Sequence, residues 1–175
     1  MDGHQADAAI YYAKACRAAG IFTSLDGGGV RVNTHDLLSF IDVAVVSERF
    51  CEQLHLSPAA VLDLLKQKGC RIGGVTMGER GLLWYDEAAK VATMPALAVP
   101  REEVVDTNGA GDVFHGAYIH SYLSRPDAPW ETHFRFARAA SAHAIRYLGN
   151  EARLPTVADV LQTEKRYRPV EALPA

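Results

Sequence analysis

Cysteine is scarce. Cys16, Cys51 and Cys70 are odd in number, far apart, and show neither C-x-x-C spacing nor histidine partners at zinc-finger distances. A disulfide framework and a metal knuckle are therefore unsupported, and a reducing compartment fits best. Charge of one sign is equally sparse: 18 Lys and Arg stand against 21 Asp and Glu, a net charge of −3, with no basic stripe to neutralise a nucleic-acid backbone. No apolar run approaches membrane-spanning length, and Met1-Asp2-Gly3-His4-Gln5 lacks the basic and apolar regions of an export signal. The expectation is a soluble cytoplasmic protein without nucleic-acid or membrane partners. Two nucleotide motifs are missing as well. No G-x-x-x-x-G-K-[ST] occurs, a G-x-G-x-x-G reading from Gly109 meets Phe114 at its third glycine, and Gly27-Gly28-Gly29 fails in the same way. Neither a Walker P-loop nor a Rossmann cofactor site is supported.

What remains is a chain of 175 residues, 49% apolar and 22% charged, which suits one compact domain with its own core. The spacing of Ala8, Ala9, Ile10, Ala13, Cys16 and Ala19 predicts a helix over about 4–19, closed by Gly20. A short strand is expected at Ile21–Leu25, ended by Asp26-Gly27-Gly28-Gly29, then a short helix at Leu37–Ile41 and a strand at Val43–Val46. Ser57-Pro58 reads as an N-cap followed by proline at the first helical position, with Gly69 ending that helix. Arg71–Met77 reads as a strand. Leu82–Tyr85 and Lys90–Met94 flank Asp86-Glu87-Ala88-Ala89 as an antiparallel hairpin. Helices follow over about Ala110–Leu123, within Trp130–Leu148, and from Thr156, where Asp159 completes a capping pattern. Alternating helices and strands imply parallel β-α-β units and an α/β class. The domain is expected to run over 1–168, with 169–175 a frayed tail.

The chemically informative segment is Asp106-Thr107-Asn108-Gly109-Ala110-Gly111-Asp112. A glycine-rich turn entering a helix leaves backbone N–H groups free at the positive end of the helix dipole, where they can hold phosphate oxygens. Gly109, Ala110 and Gly111 provide small residues there, and Asp112 falls in the first helical turn, beside the bound anion. A carboxylate so placed can take the proton of an incoming hydroxyl, the pairing that phosphoryl transfer to an alcohol needs. The same pattern also suits a tight structural bend followed by an ordinary helix-start carboxylate.

Val105 to Phe114 closely resembles the D-T-x-G-A-G-D signature of ribokinase-like (PfkB-type) carbohydrate kinases. Val75-Thr76-Met77-Gly78-Glu79-Arg80-Gly81 is similar to that family's V-T-x-G-x-x-G strand and turn. Arg135 to Ala142, then Leu148-Gly149 to Pro155, are similar to the helix and return loop that close over adenine. The resemblance spans nearly the whole chain. It implies a ribokinase-like α/β fold, with a mostly parallel sheet flanked by helices and a β-hairpin at one edge, and ATP-dependent phosphorylation of a sugar or sugar-acid hydroxyl. It further implies Asp112 as catalytic base, the backbone of Gly109, Ala110 and Gly111 as anion hole, Thr76, Gly78 and Gly81 lining the ATP site, and Arg138 near the adenine. Mg2+ would accompany ATP. Asp106 and the Asn108 carbonyl match positions that bind a monovalent cation, such as K+, in some members.

The match has two departures. Where the family carries N-x-x-E to help organise magnesium, this chain reads Ser47-Glu48-Arg49-Phe50, leaving Glu48 as the nearby carboxylate. Ketohexokinases of the family look similarly altered, and a surface helix start explains the segment equally well. The resemblance also lacks the family's N-terminal β-α units, its sugar-contacting glycine pair and its lid. The chain is accordingly expected to be the C-terminal half of such a kinase, with a sheet edge left for a partner, a homo-oligomer among the options. Two alternatives stand beside the sugar kinase: a non-catalytic nucleotide-binding or regulatory module, and a nucleoside or vitamin kinase. Histidines five and ten residues apart, His115 with His120 and His133 with His143, are spaced poorly for a shared metal. Phe114, Tyr118, Ile119 and Tyr122, like Trp84 and Tyr85, read as packing residues.

Overall fold

The computed structural model describes residues 1–149 and 154–169. It divides into two compact units, Met1–Met77 with Leu82–Met94, and Gly78–Gly81 with Pro95–Ala175.

The first unit carries the sheet. Its elements are α1 (Ala6–Ala18), β1 (Ser24–Gly27), α2 (Thr34–Leu38), β2 (Val43–Ser47), α3 (Glu48–Leu54), α4 (Pro58–Gln67), β3 (Ile72–Thr76), β4 (Leu82–Tyr85) and β5 (Val91–Met94). Among the described residues the five strands form one sheet in the order β1-β2-β3-β4-β5. The first three pair in parallel and the last two are added antiparallel, so the expected hairpin forms one edge. Val43, Ala44, Val45 and Val46 are all buried, as befits a parallel strand covered on both faces. Leu37, Leu38, Ile41, Phe50, Val61, Leu62 and Leu65 pack with Ala44 and Val46 into one apolar cluster.

Two expected elements moved. The first strand begins at Ser24 rather than Ile21, because the end of α1 uses the intervening residues. Gly20 takes φ 68°, and the Ile21 amide turns back to the Cys16 carbonyl at 2.8 Å. Thr23 is then held by Asp42, its amide and hydroxyl both donating to Oδ2 at 2.8 and 2.9 Å, so pairing starts only at Ser24 opposite Val43. Gly27 closes that strand instead of breaking it, lying against Val46 where a Cβ would come within 3.1 Å of Val46 Cβ. The second short helix sits at Thr34–Leu38 rather than at Leu37–Ile41: Thr34 Oγ1 accepts from the Arg31 amide at 2.7 Å and pulls the start forward.

Gly73 illustrates a close approach that no local pattern announces. It pairs with Tyr85 across β3 and β4, and a Cβ at 73 would lie 2.7 Å from Tyr85 Cζ and 2.9 Å from its hydroxyl oxygen. The ring cannot retreat, since Tyr85 is 1% exposed and its hydroxyl donates to the Cys70 carbonyl at 3.0 Å. Gly73→Ala is therefore expected to destabilise by about 1–3 kcal/mol, an overpacking cost. A urea unfolding midpoint equal to that of the wild type would count against this packing.

The second unit is helical. Its main elements are α5 (Ala110–Ser124), α6 (Trp130–Ala144) and α7 (Val157–Arg166). Helix α6 packs on both of the others. Small residues on α6, Ala139, Ala140, Ala142 and Ala144, let its neighbours approach, and Val113, Phe136 and Val160 fill the contact. Phe114, Tyr118, Trp130 and Phe134 form an aromatic cluster between α5 and α6, with Phe114 stacked on Phe134 at 6.0 Å and Tyr122 on Trp130 at 5.4 Å, so those aromatics are packing residues. At the N-terminus of α7, Thr156 Oγ1 accepts from the Asp159 amide and the Asp159 carboxylate accepts from the Thr156 amide, the reciprocal cap read from the sequence. Glu103 holds the other end, accepting from Arg166 at 2.8 and 2.9 Å and from the Tyr167 hydroxyl. The expected tail 169–175 lies outside the described residues beyond Pro169. Among the described residues, no helix is long and apolar enough to cross a membrane.

Candidate functional site

The glycine-rich turn lies in the second unit and is fastened to α6. Both the Val105 and Asp106 amides donate to the Ile145 carbonyl, at 2.8 and 3.1 Å, and Ser141 Oγ donates to the Ala110 carbonyl at 2.8 Å. The Asp106 carboxylate folds the next residues over it, accepting from the Asn108 amide at 2.9 Å and from the Gly149 amide at 3.4 Å. Gly109 then enters α5 with φ 73°, a left-handed conformation that glycine takes without a Cβ penalty.

This geometry leaves donors at the start of α5. The Ala110 amide is taken by the Thr107 carbonyl at 3.2 Å, whereas the amides of Gly109, Gly111 and Asp112 donate to no acceptor among the described residues. The open donors of the turn are thus Gly109 and Gly111, with the Asp112 amide beside them. A Cβ at Gly111 would meet nothing within 4 Å, so open space surrounds the helix start. Asp112 is exposed, and its carboxylate has no partner among the described residues.

The turn opens into a cavity of about 550 Å³ lined from all three helices. Gly109 and Asp112 stand at one end. Val113, Gly116 and Ala117 of α5, Phe136 and Ala140 of α6, and Val157 and Val160 of α7 form apolar walls. The volume falls within the range of small-molecule sites, and the mix of apolar walls with a few convergent polar groups is typical of them. Gly116 and His120 belong to this cavity although the sequence reading passed over them. Their spacing, four and eight residues after Asp112, would have put them on its helical face.

The other expected site residues are placed as follows. Gly78 and Gly81, at φ 56° and 88°, bracket the 3-10 turn Gly78–Arg80 in the second unit. Arg138 donates to the Pro95 carbonyl at 2.9 Å and stands 3.8 Å from Glu164. Its side chain is only 12% exposed, so the guanidinium is engaged in packing. None of these three is among the residues lining the cavity. Thr76 and Glu48 lie in the first unit. Thr76 Oγ1 donates to the Val46 carbonyl at 3.3 Å, and Glu48 opens α3 behind Ser47, whose Oγ caps the Phe50 amide at 3.4 Å and donates to the Gly28 carbonyl at 3.1 Å. Ser47 thereby acts as an N-cap. Of the return loop 148–155, residues 150–153 lie outside the described residues.

Burial depresses three histidines of this unit, His115, His133 and His143. It pushes His115 down to about 4 from an ordinary 6.5, and lowers His133 and His143 as well. His133 is fully buried, with Nδ1 3.0 Å from Ser121 Oγ. The folded state thus binds fewer protons than the unfolded chain between pH 6.5 and 4, so stability is full above pH 6.5 and is lost as pH falls through that window. His115 alone accounts for roughly 3 kcal/mol of that loss. Urea midpoints measured from pH 7 to 4 should fall, and in His115→Gln the acid limb should flatten by about one proton. An unchanged slope would count against the burial of His115.

The chain matches the model of the pfkB family of carbohydrate kinases over residues 8–157 and belongs to that family. It is 29% identical over 160 residues to a ribokinase of Lactococcus lactis, covering 90% of this chain and 49% of that protein. It is 34% identical over 93 residues to a deoxyribokinase of Salmonella typhi, covering 53% and 28%. The structure of Arabidopsis thaliana ribokinase complexed with ribose and ATP superposes with a TM-score of 0.78 at 26% identity, covering 90% of this chain and 52% of that one. The fold is therefore the ribokinase-like α/β fold. The chain spans about half the length of the relatives it matches.

Proposed function

We propose that this chain supplies the ATP-binding and catalytic part of a kinase that phosphorylates a hydroxyl of a sugar or sugar-acid. The observation that carries the reading is the cavity itself: an apolar slot between three helices has Gly109 and the exposed Asp112 in its lining, and the Gly109 amide has no acceptor among the described residues. An apolar slot suits a nucleobase, and a helix N-terminus suits a triphosphate. As the acceptor oxygen bonds to the γ-phosphorus, the bond to the β–γ bridging oxygen breaks, ADP leaves, and the hydroxyl proton passes to Asp112. The open amides stabilise the charge on the transferring group.

Mg2+ enters this reading with the nucleotide. Among the described residues, no group of three or more His, Cys, Asp and Glu could hold a metal ion, so the phosphates themselves would carry it. Glu48 is the carboxylate proposed to assist through water. Asp106 and the Asn108 carbonyl are proposed to take a monovalent cation, which would stiffen the turn that Asp106 already organises. Thr76, Gly78, Gly81 and Arg138 are proposed to border the nucleotide.

A second reading is motivated by Ser47 and Phe50 standing where the resemblance expects asparagine and glutamate: a nucleotide-binding module without turnover of its own. Calorimetry with ATP, followed by a phosphorylation assay over a panel of sugars, sugar-acids and nucleosides, separates the two. Binding with turnover supports the kinase, binding alone the module, and absence of binding sinks both.

A further inference from the structure

We infer that Ser141 is a positioning residue of this site: it aims the Gly111 amide at the phosphates of the nucleotide, an assignment that rests on the ATP-binding reading above and adds what fixes the donor.

Within α6, Ser141 is the one hydroxyl in the run Ala137-Arg138-Ala139-Ala140-Ser141-Ala142-His143-Ala144. A serine inside a helix commonly turns back to the carbonyl four residues before it, as Ser124 of α5 does to His120 at 2.8 Å. Ser141 instead reaches out of its helix and donates to the Ala110 carbonyl at 2.8 Å, thirty-one residues away in sequence. Four residues on, the Ile145 carbonyl accepts from the Val105 and Asp106 amides at 2.8 and 3.1 Å. One face of α6 therefore grips the turn at two points, before Asp106 and at the first residue of α5.

The bond is made to a carbonyl, and its consequence falls on an amide. The Ala110 C=O and the Gly111 N–H belong to one planar peptide unit, in which a trans bond points them in opposite directions. Among the described residues no peptide bond is cis. Fixing the oxygen thus fixes the direction of the hydrogen. A carbonyl oxygen has two lone pairs, so the bond from Ser141 adds to the one made inside the helix. The addition matters at a helix end, which frays, and beside a glycine. Gly111 is exposed, and nothing lies within 4 Å of an added Cβ, so no side-chain packing restrains that peptide.

The other open donor has different supports. The Gly109 amide follows Asn108, whose own amide donates to Asp106 at 2.9 Å, and precedes the Ala110 amide, which donates to the Thr107 carbonyl at 3.2 Å. Neither bond involves Ser141. A donor aimed in advance spares a bound phosphate the work of turning it. Without the Ser141 hydroxyl the Ala110–Gly111 peptide is free to swivel, while α6 itself keeps its alanine-rich helix.

The test is a titration of the isotope-labelled 175-residue chain and its Ser141→Ala variant with inorganic tripolyphosphate, followed at the amide resonances of Gly109 and Gly111. In the wild type both amide protons should move downfield. In Ser141→Ala the displacement of Gly111 should shrink by about half or more, that of Gly109 should persist, and tripolyphosphate affinity should fall by about three- to tenfold, the effect of one hydrogen bond. An unchanged Gly111 displacement in Ser141→Ala overturns the assignment and leaves the phosphate site standing. A parallel loss at both glycines also overturns it, because Ser141 would then merely keep the turn folded. So does a wild type in which Gly109 moves and Gly111 does not. A wild type in which neither glycine responds overturns both the assignment and the ATP-binding reading.

Discussion

Asp112→Asn should lower kcat by about 10²–10⁴-fold while changing ATP affinity by less than about threefold. The substitution keeps the size and hydrogen-bonding reach of the side chain but removes its capacity to take a proton. Asp112 is exposed and has no partner among the described residues, so the fold gives it nothing to support and its loss leaves no buried group unsatisfied. The thermal midpoint should therefore stay within the scatter of ordinary surface substitutions. Steady-state kinetics with any acceptor that the panel identifies, together with ATP calorimetry, read the two effects separately. Near-normal turnover with intact ATP binding would remove Asp112 from the base position. A parallel loss of binding and turnover would instead point to a role in holding the phosphates.

Gly116→Leu should move stability and affinity in opposite directions. Gly116 lies mid-helix in α5, is exposed, and has no atom within 4 Å of an added Cβ. Replacing a mid-helix glycine with leucine favours the helix by up to about 1 kcal/mol. The same side chain enters the 550 Å³ cavity at the middle of the proposed nucleotide slot. ATP affinity should drop by roughly 10–100-fold, since a bound nucleotide would have to share that space. A melting curve and a binding isotherm on the same sample suffice. A variant that melts no lower than wild type yet binds ATP as tightly would show that the nucleotide lies elsewhere. Misfolding is separately visible as a lowered midpoint.

These expectations rest on features of unequal visibility in the sequence. The caps were visible because they are local. Ser57 accepts from the Ala60 amide at 3.2 Å, and Thr156 with Asp159 closes a reciprocal cap, both within four residues of chain. The hairpin of β4 and β5 was equally plain, since two short apolar runs around a four-residue turn have few other solutions. The first strand was displaced for a non-local reason: Thr23 is held by Asp42, nineteen residues away, and the end of α1 consumed the residues before it. Gly27 looked like a terminator because glycine punctuates strands, whereas its missing side chain is what lets Val46 lie against it.

For the site, the turn from Asp106 to Asp112 could be recognised from its residues alone, because a glycine-rich entry to a helix carries its anion-binding chemistry in the backbone. Which amides stay open depended on tertiary contacts. Ala110 is satisfied by Thr107, and its carbonyl is held by Ser141 from α6. The alanine face of α6, the walls contributed by α7, and the pairing of His120 with Phe136 join residues far apart in sequence. No periodicity within one helix could reveal them. The sequence by itself determined the capped starts of α4 and α7, the hairpin, the family and the glycine-rich turn, all of which depend on interactions within a few residues or on one continuous motif. Only the tertiary structure decided where the first strand begins, why residue 73 must be glycine, and that α6 and α7 wall a slot along the helical face shared by Asp112, Gly116 and His120. Those outcomes depend on which surfaces meet when separate elements pack, and packing at interior density is a property of the assembled chain.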